Sequence, residues 1–294
     1  CRAGIALLAL ALAGINVYQS YFFSIVKTYA LSGLLLVLGF AALSVAERRR
    51  RSGMAFVAGA LIALAACTRL SAGVVLPIVF LVMAWKCRAP RSGRSAAEEA
   101  PSGAPAMPLM FGLGAALVVL ALLGPFVLAA PRALWFGLVE YHAGREAGGL
   151  IPALAYKAGF LARLVRAYFV AVGLGCAAVL FGFRGRSAAT AVPAGSTGTW
   201  SALWLSVLAV STVHLMAPFP YDDYQTAVMP AFALVLALQL PAVVVSPERR
   251  RQVATGLTLF GLLFAASSPQ WQDWFSAGRD RIWWNIATRP PLAD

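Results

Sequence analysis

Long apolar runs alternate with short polar segments along the chain. About nine of these runs approach the roughly 20 residues that a helix needs to cross a bilayer. The predicted spans are residues 3–17, 28–46, 54–70, 72–86, 108–130, 160–183, 200–217, 225–245 and 252–268. The pattern predicts an all-α fold, a polytopic integral membrane protein with about nine transmembrane helices in a single domain, 1–294.

Composition favours a membrane protein over a soluble one. Of the 294 residues, 61% are hydrophobic and 12% are charged, whereas a soluble domain carries about 25% charged residues. So few charges cannot cover the surface of a water-soluble domain of this size. The four cysteines are scattered without disulfide or zinc spacing, and two histidines are too few for a multi-haem site.

Positive charge in the polar segments orients the predicted spans. Every second connection shares one face, and the set that includes 47–53, 86–107 and 246–252 holds the larger share of the 24 Lys and Arg. The positive-inside rule places this set in the cytoplasm, and we predict the inner (cytoplasmic) membrane of a bacterium. Orientation explains the net charge of +13, so nucleic acid is not a predicted partner. The Gly-, Ser- and Pro-rich loop 86–107 is predicted to be flexible.

The opposite, external face carries most of the side chains that could do chemistry. Its loop 131–166 is predicted to contain an interfacial helix, since Tyr156, Phe160 and Leu164 recur at i, i+4. The tail 268–294 is rich in tryptophan and is predicted to lie along the outer interface.

Four cations of the external face are candidates for binding a lipid phosphate. A guanidinium matches the geometry of phosphate oxygens, and charges near membrane depth usually face a cavity or the protein. The alternative is that these side chains only anchor helices among lipid headgroups. The candidates are Lys27, Arg69, Arg163 and Arg166.

Other polar side chains of this face are candidates for a substrate pocket. The imidazole of His142 could act as an acid or a base. Asp222 and Asp223 adjoin in a turn between two predicted spans, where they could hold a divalent cation, a sugar hydroxyl or an arginine, or could face water without a role. No cofactor is assigned beyond this possibility of a divalent cation at Asp222 and Asp223. The pocket candidates are Tyr29, Tyr141, His142, Arg145, Asp222, Asp223 and Tyr224.

Two segments resemble the lipid-linked sugar transferases of the GT-C superfamily. They are GALIALAACTRLSAGVVLPIVF (59–80) and HLMAPFPYDDYQTAVMPAFALVLAL (214–238), and they are similar to protein mannosyltransferases and aminoarabinose transferases of glycosyltransferase family 39. The resemblance implies a GT-C-like fold and transfer of a sugar from a polyprenyl-phosphate donor to an acceptor at the external membrane face. It also implies that the four cations bind the polyprenyl phosphate, and that Asp222, Asp223 and Tyr224 shape the sugar or acceptor pocket.

The chain departs from that family in its first external loop. The family places a catalytic carboxylate there, whereas YQSYFFSIVK (18–27) contains no Asp or Glu. Because the chain opens on Cys1 inside an apolar run, we expect a missing N-terminal piece, and no catalytic base is assigned. Enzymatic activity is therefore left open. The alternatives are a transporter or flippase of lipid-linked glycans or anions, and an O-antigen-type polymerase or ligase.

Overall fold

The computed structural model describes residues 2–24, 28–88, 106–141, 149–168, 171–174, 197–218 and 220–239. Within these ranges the regular elements are helices and no strand is present, so the predicted all-α class is confirmed. The helices are α1 (Arg2–Gly14), α2 (Val17–Ser24), α3 (Tyr29–Arg49), α4 (Ser52–Thr68), α5 (Val75–Arg88), α6 (Ala106–Ala129), α7 (Pro131–Trp135), α8 (Leu150–Ala167), α9 (Thr197–Met216) and α10 (Met229–Gln239). Short 3-10 helices cover Leu70–Val74 and Asp222–Ala227, and a π-helical turn covers Phe136–Glu140.

Four helical stretches in the described residues are long and apolar enough to cross a membrane. The bent pair Ala6–Gly14 and Tyr18–Ser24, which meet at 76°, makes a fifth if the two helices form one span. Ser52–Thr68 and Met229–Leu238 are apolar but shorter. The structure therefore supports a membrane protein, but it does not carry the predicted count of nine spans. The four stretches are Tyr29–Arg49, Leu70–Cys87, Ala106–Ala129 and Gly198–Met216.

Helix α8 runs from Leu150 to Ala167. It contains the predicted amphipathic stretch with Tyr156, Phe160 and Leu164 and also residues 160–167 of the predicted sixth span, of which residues 169–170 and 175–183 lie outside the described residues. Phe160 is buried while Leu161 is exposed, as expected for a helix with one apolar face. The predicted ninth span, the tail 268–294 and most of the loop 86–107 lie outside the described residues.

The chain divides into two compact units. The central unit comprises residues 28–158 and 192–231, and the flanking unit comprises residues 1–27, 159–191 and 232–294. Within the flanking unit, Asn16 Nδ2 donates to the Ala167 carbonyl at 2.7 Å and the Tyr168 hydroxyl donates to Gln19 Oε1 at 2.9 Å. These bonds tie the α1–α2 connection to the end of α8 and satisfy polar groups that would otherwise be buried alone.

Close helix packing organises the central unit. Helix α4 packs against α3 on one side and α6 on the other. At the α4–α6 crossing, a Cβ at Gly59 would overlap the Phe111 carbonyl, and a Cβ at Gly114 would overlap the Phe56 carbonyl. The two glycines let the backbones approach closely, which is typical of packed membrane helices.

One end of the central unit is joined by Glu47, in the last turns of α3. Its carboxylate accepts hydrogen bonds from the backbone nitrogens of Gly198 and Thr199, both at 2.8 Å, and from the Thr199 hydroxyl at 2.8 Å. Lys86 Nζ of α5 lies 3.3 Å from the same carboxylate. A carboxylate at the start of α9 satisfies helix N–H groups and complements the helix dipole. The end of α3, the end of α5 and the start of α9 therefore meet, and the sequence assigns all three to the cytoplasmic face.

Candidate functional site

The opposite end of the central unit brings Tyr29 and Asp223 together. Tyr29 is the first residue of α3, and Asp223 belongs to the 3-10 helix Asp222–Ala227. The Tyr29 hydroxyl donates a hydrogen bond to Asp223 Oδ2 across 194 residues of sequence. Tyr29 is only 2% exposed, so the carboxylate that it holds lies where the helix end meets the 3-10 helix.

Arg69 adds a cation to this pair. Arg69 is the residue between α4 and the 3-10 helix that begins at Leu70. Its backbone is extended (φ −146°, ψ 112°), and its N–H donates to the Ala65 carbonyl at the end of α4. Its guanidinium carbon lies 3.8 Å from the centroid of the Tyr29 ring and 5.6 Å from that of Tyr224. Such cation–π contacts contribute about 0.5–2 kcal/mol each. The short connection thus places Arg69 among aromatic side chains of the protein.

The Tyr224 ring, which Arg69 contacts, also lies beside two other rings. The Tyr224 ring lies 5.5 Å from the ring of Tyr221, which is 51% exposed, and 5.6 Å from the ring of His214, which is 3% exposed. Tyr224 therefore stands between an exposed ring and a buried imidazole, and it also contacts Arg69.

His214 and Gln225 are functional candidates that the sequence reasoning did not single out. Gln225 is 2% exposed, and its Oε1 accepts a hydrogen bond from the Ser211 hydroxyl at 3.3 Å. Within the described part of the chain, both ring nitrogens of His214 and the Gln225 amide nitrogen lack a hydrogen-bond partner. A histidine in the last turn of an otherwise apolar helix was the available signal, since buried polar side chains are normally satisfied.

The structure brings together four of the predicted site residues: Tyr29, Arg69, Asp223 and Tyr224. We call these four residues the Arg69 cluster. Asp223 accepts a hydrogen bond from Tyr29, and its predicted partners, a divalent cation, a sugar hydroxyl or an arginine, remain predictions.

The remaining candidates fall elsewhere or outside the described atoms. Tyr141 lies at an exposed position and packs on Phe136 with ring centroids 6.4 Å apart. Arg163 is on the exposed side of α8, in the flanking unit. Residues 27, 142 and 145 and the side chains at 166 and 222 lie outside the described atoms, which leaves Lys27, His142, Arg145, Arg166 and Asp222 as predictions.

The cluster offers a defined chemistry. It combines a guanidinium that lies against aromatic rings with a carboxylate that accepts a hydrogen bond from a phenol. Beside it lie His214 and Gln225, two buried side chains that can both donate and accept hydrogen bonds. Among the described residues, no three His, Cys, Asp or Glu side chains are grouped as metal ligands.

Comparisons of the chain with protein-family models, with curated proteins and with solved structures found no match.

Proposed function

We propose that this protein is a membrane glycosyltransferase that moves a sugar from a polyprenyl-phosphate donor to an acceptor hydroxyl at the external face of a bacterial cytoplasmic membrane. The observation that carries the proposal is the Arg69 cluster, in which a cation and a carboxylate share one end of a bundle of apolar helices. A site at the end of apolar helices suits a donor whose tail lies in lipid and whose phosphate lies at the membrane surface.

In this proposal Arg69 binds the phosphate of the donor. Arg69 is partly buried and its guanidinium stacks on Tyr29. A guanidinium carries five N–H donors in one plane, and these match phosphate oxygens in pairs. Such a group stabilises the negative charge that develops on a departing phosphate.

In this proposal Asp223 acts as the base that activates the acceptor hydroxyl. Attack on a sugar carbon requires a base that takes the proton of the acceptor hydroxyl, and Asp223 is the carboxylate of the cluster. In this scheme Tyr29 orients Asp223, which lies in the turn before α10. The balance is simple: the sugar carbon–phosphate oxygen bond breaks, a sugar carbon–acceptor oxygen bond forms, and the proton passes to Asp223.

The test uses the full chain in nanodiscs with polyprenyl phosphates carrying glucose, mannose, galactose or aminoarabinose, and measures release of polyprenyl phosphate with a mixture of lipid and peptide acceptors. Asp223→Asn should lower kcat by about 100-fold or more, since the base is lost, and should retain donor binding. Arg69→Gln should weaken donor binding, and Arg48→Gln, an exposed arginine at the opposite end of α3, should change neither. Turnover by Asp223→Asn equal to that of the parent chain would refute the proposal, as would failure of the parent chain to bind polyprenyl phosphate.

A further inference from the structure

Two buried polar side chains beside the Arg69 cluster are left without the hydrogen bonds that their burial requires. His214 is 3% exposed and Gln225 is 2% exposed. In the described ranges, neither imidazole nitrogen has a partner, and the Gln225 amide nitrogen has none. Leaving a buried polar group unsatisfied lowers stability, so a group that binds there would recover free energy.

The unpaired atoms of His214 and Gln225 lie close together. The Gln225 amide lies beside the His214 ring, although no hydrogen bond of normal geometry joins them. Ser211, one turn before His214 on α9, holds the oxygen of the Gln225 amide at 3.3 Å. The amide nitrogen is therefore positioned while its hydrogens stay unused.

The Tyr224 ring lies between His214 and Arg69, the proposed phosphate-binding residue. Tyr224 lies 5.6 Å from the His214 ring and 5.6 Å from the Arg69 guanidinium carbon. Arg69 and His214 therefore adjoin the same ring, and a sugar attached to a phosphate at Arg69 could extend past that ring toward His214 and Gln225.

We infer that His214 and Gln225 form a subsite for the hydroxyl groups of the sugar that is attached to the phosphate at Arg69. An imidazole and a carboxamide each provide a donor and an acceptor, as does a hydroxyl, whereas a phosphate oxygen mainly accepts. The chemistry of the pair therefore matches a polyhydroxylated ring better than a second anion. This inference rests on the proposed function and adds to it the groups that recognise the sugar.

Tyr221 and Tyr224 lie between this subsite and the surface. Tyr221 is exposed, Tyr224 is partly buried, and their rings meet edge to face at 5.5 Å. Aromatic side chains with a polar tip are suited to such a boundary, because the ring packs on apolar groups while the hydroxyl can bond to a ligand.

The experiment compares two kinds of lipid on the full chain in nanodiscs. Binding is measured for bare polyprenyl phosphate and for polyprenyl phosphate carrying glucose, mannose, galactose or aminoarabinose. For the parent chain, at least one glycosylated lipid should bind more tightly than the bare lipid. Gln225→Met, which keeps the side-chain length and removes the amide, should weaken binding of that glycosylated lipid about tenfold, since a neutral hydrogen bond or two are lost. His214→Phe should do the same, and both variants should bind the bare lipid as the parent chain does.

Ser206 supplies a matched control. Its hydroxyl is also buried without a partner in the described residues, but it lies two turns before His214 on α9, about 12 Å away along the helix. Ser206→Ala should therefore leave the affinity of both lipids unchanged. Thermal unfolding of each variant separates misfolding from loss of binding, and if His214→Phe does not fold, Gln225→Met decides.

The outcomes distinguish the inference from the proposed function. No binding of either lipid to the parent chain refutes both. Binding of the bare lipid with no gain from any of the four sugars overturns the subsite and leaves the phosphate site standing. Equal loss of both lipids in Gln225→Met, at unchanged stability, also overturns it, because the pair would then shape the phosphate site or hold only a buried water.

Discussion

At the scale of single residues, Tyr29 joins the two charges of the Arg69 cluster. Its hydroxyl donates to Asp223 and its ring face lies against the Arg69 guanidinium. Tyr29 therefore contacts both charges, one through its hydroxyl and the other through its ring face. The hydroxyl and the ring can be removed one at a time.

Tyr29→Phe removes the hydrogen bond and keeps the ring. We expect it to lower the free energy of unfolding by about 1–2 kcal/mol, because a partly buried carboxylate loses a donor. Tyr29→Leu should cost about 1 kcal/mol more, since the cation–π contact with Arg69 is also lost. Thermal unfolding in detergent measures both variants. Tyr221→Phe, which alters an exposed phenol of the same end, is the control, and a Tyr29→Phe variant as stable as this control would contradict the expectation.

At the scale of elements, two contacts decide how the helices of the central unit meet. The first is the carboxylate of Glu47 at the start of α9. A Cβ at Gly198 would come within 2.7 Å of Glu47 Oε1 and 2.8 Å of Lys86 Cδ, so a side chain there would displace one or both of these groups.

Glu47→Ala should destabilise the protein by about 2 kcal/mol, because two backbone N–H groups and a hydroxyl lose a charged acceptor. The neighbouring Arg48 is exposed, and its Nε bonds only to the Ser44 carbonyl in the same helix among the contacts described. Arg48→Ala is therefore the matched control and should change stability by less than about 0.5 kcal/mol. The unfolding midpoints of the two variants in detergent decide between them, and equal midpoints would mean that α9 does not depend on Glu47.

The second contact is the crossing of α4 and α6. Gly114→Ala should cost about 3 kcal/mol or more, because its Cβ would overlap the backbone of Phe56, which cannot turn away as a side chain does. Gly124 lies on the same helix with nothing within 4 Å of an added Cβ. Gly124→Ala should be neutral or stabilising, since alanine has the higher helix propensity. Yield and thermal unfolding of the folded protein provide the comparison, and similar values for the two variants would exclude close backbone packing at this crossing.

At the scale of the whole molecule, the two ends of the central unit are chemically different. One end gathers Glu47, Lys86 and the start of α9, and the other gathers the Arg69 cluster. The charge pattern of the connections predicts that the Glu47 end faces the cytoplasm.

Cysteine labelling tests this orientation with a reagent that does not cross membranes. Cys87 is exposed near the Glu47 end, so a chain that keeps only Cys87 should be labelled after the cells are permeabilised and not before. A cysteine-free chain carrying Tyr221→Cys should be labelled in intact cells. The reverse pattern would place the Arg69 cluster on the cytoplasmic side and would contradict the proposed transfer at the external face.

Much of the candidate site could be predicted from the sequence. Tyr29, Arg69, Asp223 and Tyr224 were candidates because polar side chains at the ends of apolar runs must lie near a membrane surface, and alternate ends share one surface. Their contacts could not be predicted, since the stacking of Arg69 on Tyr29 depends on how α3 and α4 pack. His214 was missed because its burial without a partner is a property of the packed state.

The sequence by itself determined that the chain is all-α and apolar, where most helices begin and end, and which helix ends belong to the same face. These are properties of hydrophobic periodicity and charge, which act over one or a few turns. Only the tertiary structure decided that α8 continues through residue 167, that α4 and α6 cross at glycines, and that Tyr29 holds Asp223 across 194 residues. Pairings so distant in sequence follow from which helix faces pack together, and that choice depends on the shapes of all the helices at once.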